Sequence, residues 1–384
     1  MALNLTRTMK FKNLVILIGV SAFTILIKPS YARQVNSRPS LKRDSVLKMM
    51  AKVADWQIND WQTAGFKKPK YNWTYGAAYT GIFELAQVSG DKKYYEFLKG
   101  IGEDLGWNTG ARRFFADDYC VAQTFANLYG VYHDPRMITP FKALADSLIA
   151  RPHTENLSLK NRGIMDREWA WCDALFMAPT SLAYLSSVTK EQKYLDIANK
   201  LWWKTTDFLY DPAEHLFYRD ESYFERKEKN GAKVFWSRGN GWVLGGLVRV
   251  LSNMPADYPD RPKYIKLYRE MIARIAKIQQ VDGSWHASLL DPASYAVKET
   301  SGTGFYTYAI LWGLNHKLLD KKTYWPVAEK GWQILISAVN NDGMLGFVQP
   351  VGAAPDKVDE NTTETYGPGA FLLAGSELYR YLKK

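Results

Sequence analysis

The chain has 384 residues, 47% of them hydrophobic and 23% charged, with a formal net charge of +11. That apolar content supports a large buried core and excludes a disordered chain. Only two cysteines occur, Cys120 and Cys172, which excludes a disulfide scaffold.

The N-terminus carries Lys10 and Lys12, the apolar run 14–27, and then Ser30-Tyr31-Ala32. This is the layout of a signal peptide ending in a small-residue cleavage site. Residues 1–32 are therefore expected to direct export to the periplasm or the medium, leaving one domain over 33–384. An uncleaved anchor is the alternative, but the run is short for a bilayer span and ends at Lys28-Pro29. The leader holds Arg7, Lys10, Lys12 and Lys28 and no acids, so the mature chain keeps 46 basic and 39 acidic residues, a net charge of +7. Such an excess favours acidic partners in general. No Lys/Arg run and no zinc or RNA-binding motif accompanies it, so an acidic glycan is expected as partner, without nucleic acid and without a membrane after cleavage.

From residue 44 onward, helical periodicity dominates and no series of alternating strands appears. Taken in order, the amphipathic segment Asp44–Asp60 precedes the nearly all-apolar Tyr75–Gln87. Tyr119–Tyr132 and Asp173–Val188 are apolar again, Gln192–Leu209 is amphipathic, and Gly241–Leu251 is apolar. Tyr264–Gln279 and Tyr324–Val339 are amphipathic, while Gly304–Asn315 and Gly369–Leu382 are apolar. Short polar corners such as Ser89-Gly-Asp-Lys-Lys-Tyr-Tyr95 and Asp320-Lys-Lys-Thr-Tyr324 separate them. Helices that are apolar all round belong inside, and amphipathic ones outside. The pattern predicts an all-α fold, an (α/α)6 barrel of six helical hairpins.

Each apolar segment is preceded by residues that a core would not choose. These are Trp73-Thr-Tyr75-Gly76, Asp117-Asp118, Trp171-Cys-Asp173, Trp236-Ser-Arg238-Gly-Asn-Gly241-Trp242, Thr300-Ser-Gly-Thr-Gly304 and Glu364-Thr-Tyr366-Gly367. Parallel inner helices would bring all six to one mouth. Asp117 or Asp118 either serves there or caps a helix. Asp173 lies in an apolar stretch where an uncompensated carboxylate is costly, which raises its pKa and suits a proton donor. Trp73, Trp171, Trp236 and Trp242 are either core residues or a platform for a sugar ring. Arg238 is either a fork for a carboxylate or the partner of a neighbouring acid.

Other chemistries fit less well. The glycines near Arg238 are too few and wrongly placed for a phosphate loop. The five histidines show no ligand spacing, so neither a metal nor a cofactor is expected. Cys172 has no local histidine and reads as a structural thiol.

Together, Asp117-Asp118, Trp171-Cys-Asp173-Ala-Leu-Phe-Met-Ala-Pro179, Trp236-Ser-Arg-Gly-Asn-Gly-Trp242 and the ending 363–377 resemble glycoside hydrolase family 105, over nearly all of the mature chain. The family contains unsaturated rhamnogalacturonyl and unsaturated β-glucuronyl hydrolases. The resemblance implies an (α/α)6 barrel that removes a 4,5-unsaturated uronic acid from the non-reducing end of lyase-generated oligosaccharides. In the implied chemistry, an aspartic acid protonates C4 of the double bond, water adds at C5, and the hemiketal opens to release the sugar. By position Asp173 resembles the acid/base and Asp118 its partner; from their place at the same mouth, Asp117, Trp171, Trp73 and Tyr75 are expected as further substrate contacts. Trp236, Arg238 and Trp242 match the segment that holds the uronate.

Two histidines of pectin-acting members are absent, since the matching stretches read Asn161-Arg-Gly-Ile-Met-Asp-Arg-Glu-Trp169 and Leu216-Phe-Tyr-Arg219. Arg162, Arg167 and Arg219 stand in these stretches, either as a solvated charge face or to meet a more anionic substrate, such as a sulfated ulvan fragment. Two competing readings remain: an inverting glycosidase on an acidic glycan, and a non-catalytic glycan-binding barrel.

Overall fold

The computed structural model describes residues 41–383, so the expected signal peptide lies outside the described residues. Within that span, twelve α-helices alternate between two layers. They are α1 (Arg43–Thr63), α2 (Trp73–Ser89), α3 (Lys92–Asp104), α4 (Ala122–Tyr132), α5 (Thr139–Ile149), α6 (Ala174–Thr189), α7 (Lys193–Leu209), α8 (Ser237–Asn253), α9 (Arg261–Lys277), α10 (Thr300–Asn315), α11 (Lys321–Ile336) and α12 (Tyr366–Tyr381). A small antiparallel hairpin, β1 (Tyr210–Asp211) with β2 (Leu216–Phe217), follows α7. None of the described helices is long and apolar enough to cross a membrane.

Burial separates the layers as the sequence pattern predicts. Every residue of α10 from Thr300 to Leu314 is buried, as is every residue of α8 from Ser237 to Leu251. The outer α3 buries only Tyr94, Leu98, Ile101 and Gly102, a single stripe at helical spacing. The inner helices pack as a closed ring in the order α2, α4, α6, α8, α10, α12 and back to α2.

The corners stop and start the helices for local reasons. Gly90 ends α2 in the left-handed region at φ 70°, and Asp91 next to it caps α3 by accepting from the Lys93 N–H at 3.0 Å. At the Asp320 corner, the side chain accepts from the Thr323 N–H at 2.8 Å and opens α11.

The inner helices run parallel. Their N-terminal residues touch one another: Trp73 of α2 stacks on Tyr366 of α12 at 5.5 Å, and Trp242 of α8 meets both Phe176 of α6 and Phe305 of α10. Their C-terminal residues meet at the other end, where Arg380 of α12 binds Glu84 of α2. Six helix N-termini thus face one mouth, and their partial positive charges favour an acidic ligand there.

The helix starts differ from expectation. Helix α8 begins at Ser237, α10 at Thr300 and α12 at Tyr366, so several expected entry-loop residues are first helical turns. Glycine serves close packing there. A Cβ on Gly369 would sit 2.5 Å from the Ala77 carbonyl oxygen of α2, and one on Gly81 would sit 2.9 Å from the Gly369 Cα. We predict that Gly369→Ala lowers stability by about 1–3 kcal/mol through overpacking of the α2/α12 seam. Chemical denaturation checks this, and an unchanged midpoint would show that the seam can relax.

Candidate active site

The site assembles from the residues just before α4 and α6. Asp117 and Asp118 lie in a 3-10 turn, Ala116–Tyr119, and neither caps α4, whose N-cap position is Val121. The two side chains diverge. Asp118 is buried and turned onto Arg112, accepting the backbone N–H at 2.7 Å, Nη2 at 2.7 Å and Nε at 3.3 Å. A Cβ at Gly110 would collide with that carboxylate, so the loop closes over it only with glycine. The Asp118 carboxylate, expected as the partner of Asp173, is engaged by an arginine fork.

Asp117 takes the place beside Asp173. It keeps some surface open but is packed closely among protein atoms. Burial first, and the Asp173 charge second, raise its pKa to about 7, while Arg112 and Arg219 pull it down. Asp173 stands at the N-cap position of α6 without making a side-chain cap bond. Burial pushes its pKa up as well, against the opposing pull of Arg219 and Arg238. Two interacting carboxyls whose charged forms are both disfavoured by burial titrate as a coupled pair.

Arg219 is brought to this pair by backbone contacts. Asn240 of α8 accepts the Phe217 N–H at 2.7 Å and donates to the Phe217 carbonyl at 3.0 Å. The Cys172 N–H then donates to the Arg219 carbonyl at 2.9 Å. Arg219 donates Nη1 to Asp220 at 2.6 Å, and its Nε lies 3.7 Å from Asp173 without a hydrogen-bond partner. The Cys172 thiol is buried, 3.5 Å from the Asp173 carboxylate, and burial raises its pKa well above the ordinary value. A thiol held neutral in this way is a poor nucleophile.

Several expected contacts sit deeper than the sequence suggested. Arg238 is fully buried, sandwiched by Trp236 and Tyr366, and donates to the carbonyls of Gln349 at 2.7 Å and Pro350 at 3.0 Å. Its fork is occupied by backbone, so it acts on Asp173 as a buried positive charge. Trp236 donates to the Gln349 side chain at 2.9 Å, and Trp242 is enclosed by Phe176, Phe305, Trp73 and Tyr366. Neither is an open platform. Tyr75 packs against Trp61 and Phe66, between α1 and α2. Trp73 is half-buried, and Trp171 is buried and stacked on Phe115 at 5.0 Å, a ring that Arg112 also covers at 3.6 Å. Arg167 is bound by Glu155, Asn161 and two carbonyls, so it is not free to meet a substrate, whereas Arg162 is exposed.

Residues without a sequence signal complete the site. Gln349 holds both Trp236 and Arg238. Glu299, fully buried, caps α10 by accepting from Ser301 and Gly302, and accepts from the Gln349 N–H at 3.2 Å. Among the described residues, no group of three or more His, Cys, Asp or Glu is arranged to hold a metal ion.

With this geometry in view, similarity to known proteins is decisive. Residues 48–382 match the model of Glycosyl Hydrolase Family 88. The chain belongs to that family. It is 36% identical over 370 residues to a Formosa agariphila protein named unsaturated 3S-rhamnoglycuronyl hydrolase, covering 93% of this chain and 96% of that one. An Alteromonas protein of the same name is 33% identical over 362 residues, covering 89% and 88%. A solved structure described as glycosyl hydrolase family 88 from Bacteroides vulgatus superposes with a TM-score of 0.79 at 30% identity, covering 88% of this chain and 99% of that one. Structures described as possible family 105 members, at 20% identity, share the fold. The chain is a glycoside hydrolase with an α/α barrel, and the non-catalytic reading is set aside.

The raised Asp117 pKa carries a consequence for stability. The unfolded chain releases this proton near the ordinary value of 3.8, while the folded chain keeps it to about 7. The group's contribution is therefore complete below the unfolded value and is lost as pH rises toward about 7. We predict that Asp117→Asn stabilises the protein by about 1 kcal/mol or more at pH ~8 and by nothing at pH ~3.5. Thermal unfolding at both values checks this, and equal gains at both would refute it.

Proposed function

We propose that this enzyme removes a 4,5-unsaturated uronic acid from the non-reducing end of oligosaccharides produced by polysaccharide lyases, by hydrating the double bond. The observation that carries the reading is buried Asp173 with Asp117 and Arg219 beside it, because burial raises the pKa of both carboxyls and so favours a proton donor next to a cation. Asp173 gives its proton to C4, and water attacks C5 as the pair takes up a proton from it. The ring hemiketal then opens at the C5–O bond, and the hemiacetal left at C1 collapses to release the neighbouring sugar. No direct displacement at C1 is required.

Arg219 is our choice for the uronate carboxylate, since its guanidinium stands beside Asp173 and its side chain keeps 20% of its surface exposed. A carboxylate bound there offsets the charge that holds the Asp173 pKa down, and so favours the protonated form. Asp118 is a positioning residue that fixes Arg112 near Asp117. The substrate we favour joins the uronic acid to a 3-sulfated rhamnose, as in ulvan. Two relatives carry 3S-rhamnoglycuronyl in their names, and Arg112 and Arg162 are exposed on the segments leading to Asp117 and Asp173. We also read residues 1–32 as an export signal, to be checked by finding Arg33 at the mature N-terminus.

A second reading makes Asp117 the proton donor, since its pKa is raised to about 7. Presteady kinetics of Asp117→Asn and Asp173→Asn separate the two, because the donor's replacement abolishes the double-bond step itself.

Lyase digests of ulvan, rhamnogalacturonan and arabinogalactan test the function directly. We expect loss of the double bond's ultraviolet absorbance, fastest on the sulfated ulvan fragment, with activity falling as pH rises past about 7. Sugar release with the absorbance intact would mean ordinary hydrolysis. Arg219→Gln should raise KM roughly tenfold or more with a smaller change in kcat.

A further inference from the structure

The opposite end of the barrel holds a polar cavity of about 630 Å3 that contains no member of the carboxylate cluster. All six inner helices line it near their C-termini, through Glu84 of α2, Asn127 of α4, Tyr184 of α6, Asn253 of α8, Trp312 of α10 and Glu377 of α12. Its volume lies within the range of about 300–1,000 Å3 usual for small-ligand sites.

Its polar groups are unevenly satisfied. The carboxylates are engaged, since Arg380 donates Nη2 to Glu84 at 2.6 Å and Nη1 to Glu377 at 2.7 Å. Fully buried Arg249 stands 3.8 Å from Glu84 and donates Nε to Gln123 at 2.7 Å. Two donors on the wall have no acceptor: Nδ2 of Asn127, which is 8% exposed, and Nε1 of Trp312, which is 2% exposed. A buried donor without a partner costs about 1–3 kcal/mol.

Charge decides what can meet these donors. The C-terminal ends of six helices present partial negative charge, and two carboxylates add to it. Both Nη groups of Arg380 are already committed, and Arg249, whose Nη groups have no hydrogen-bond partner, is fully buried beside Glu84 and does not line the cavity, so an anion finds no open cation on the wall. A hydroxyl group fits both sides, accepting from Asn127 and Trp312 while donating to carboxylate or helix-end carbonyl oxygens. We propose that this cavity is a second binding site, for an uncharged saccharide unit. It does not depend on which glycan the mouth cleaves, and it would let the enzyme hold a polysaccharide while the mouth stays free.

Saturation-transfer NMR on the full mature chain tests this with xylobiose as the uncharged probe and digalacturonate as the anionic one. Ser252, exposed on the cavity rim, is replaced by Trp to fill the space, and Asn127 by Leu to remove the donor. We expect xylobiose signal on the wild type, none on Ser252→Trp, and a several-fold weaker one on Asn127→Leu. Hydrolysis and the digalacturonate signal should be unchanged in both. The proposal is overturned if xylobiose gives no signal on the wild type, which would leave the cavity to water. It is equally overturned if the signal survives in Ser252→Trp, or if the digalacturonate signal disappears in step with it.

Discussion

Two carboxyl groups, Asp117 and Asp173, occupy one place from which water is largely excluded, and the rest of the site is arranged around that conflict. Burial penalises either charge, and proximity penalises the second charge further. Full neutralisation by arginine would remove the tension and with it the proton. The structure stops short of this. Arg219 is turned mainly to Asp220, and Arg238 is tied to two backbone carbonyls, so Asp173 feels both cations without a close ion pair to either. The raised pKa values are the balance left over.

The barrel makes that balance possible. Parallel inner helices bring the turn before α4 and the N-cap of α6 together, and close helix packing through Gly81 and Gly369 keeps the mouth from widening. Asp118 anchors Arg112 close to Asp117 but engages its fork, so the cation moderates the pair from a distance. Gln349 and Glu299, both buried, link Trp236, the start of α10 and the segment before α12. The same parallel arrangement makes the two ends of the barrel electrostatically unlike. One suits an acidic sugar, and the other an uncharged one.

Much of the barrel is legible in the sequence because burial and periodicity are local signals. The all-apolar segments became α2, α4, α6, α8, α10 and α12, and the amphipathic ones became the outer layer. Asp173 is legible for the same reason, as a carboxylate inside an apolar stretch. Asp117 and Asp118 are not separable in this way. They are adjacent in a 3-10 turn, and what distinguishes them is Arg112, which reaches Asp118 across a loop closed at Gly110. Trp236, Arg238 and Trp242 stand out in the sequence, yet the depth of Trp236 and Arg238 depends on Gln349, more than a hundred residues later in a stretch without helical periodicity. The early starts of α8 and α10 were hidden by glycines that read as loop and serve instead to let neighbouring helices approach.

The proposed chemistry requires that the Asp117/Asp173 pair carry a shared proton at neutral pH. Carbon-13 NMR of aspartate-labelled enzyme, titrated from acid to alkaline pH with Asp117→Asn and Asp173→Asn to assign the signals, measures this directly. We expect one carboxyl transition near pH 7 that belongs to the pair and moves toward the ordinary range when either member is replaced. Two independent transitions near pH ~4, unaffected by removing the partner, would contradict it.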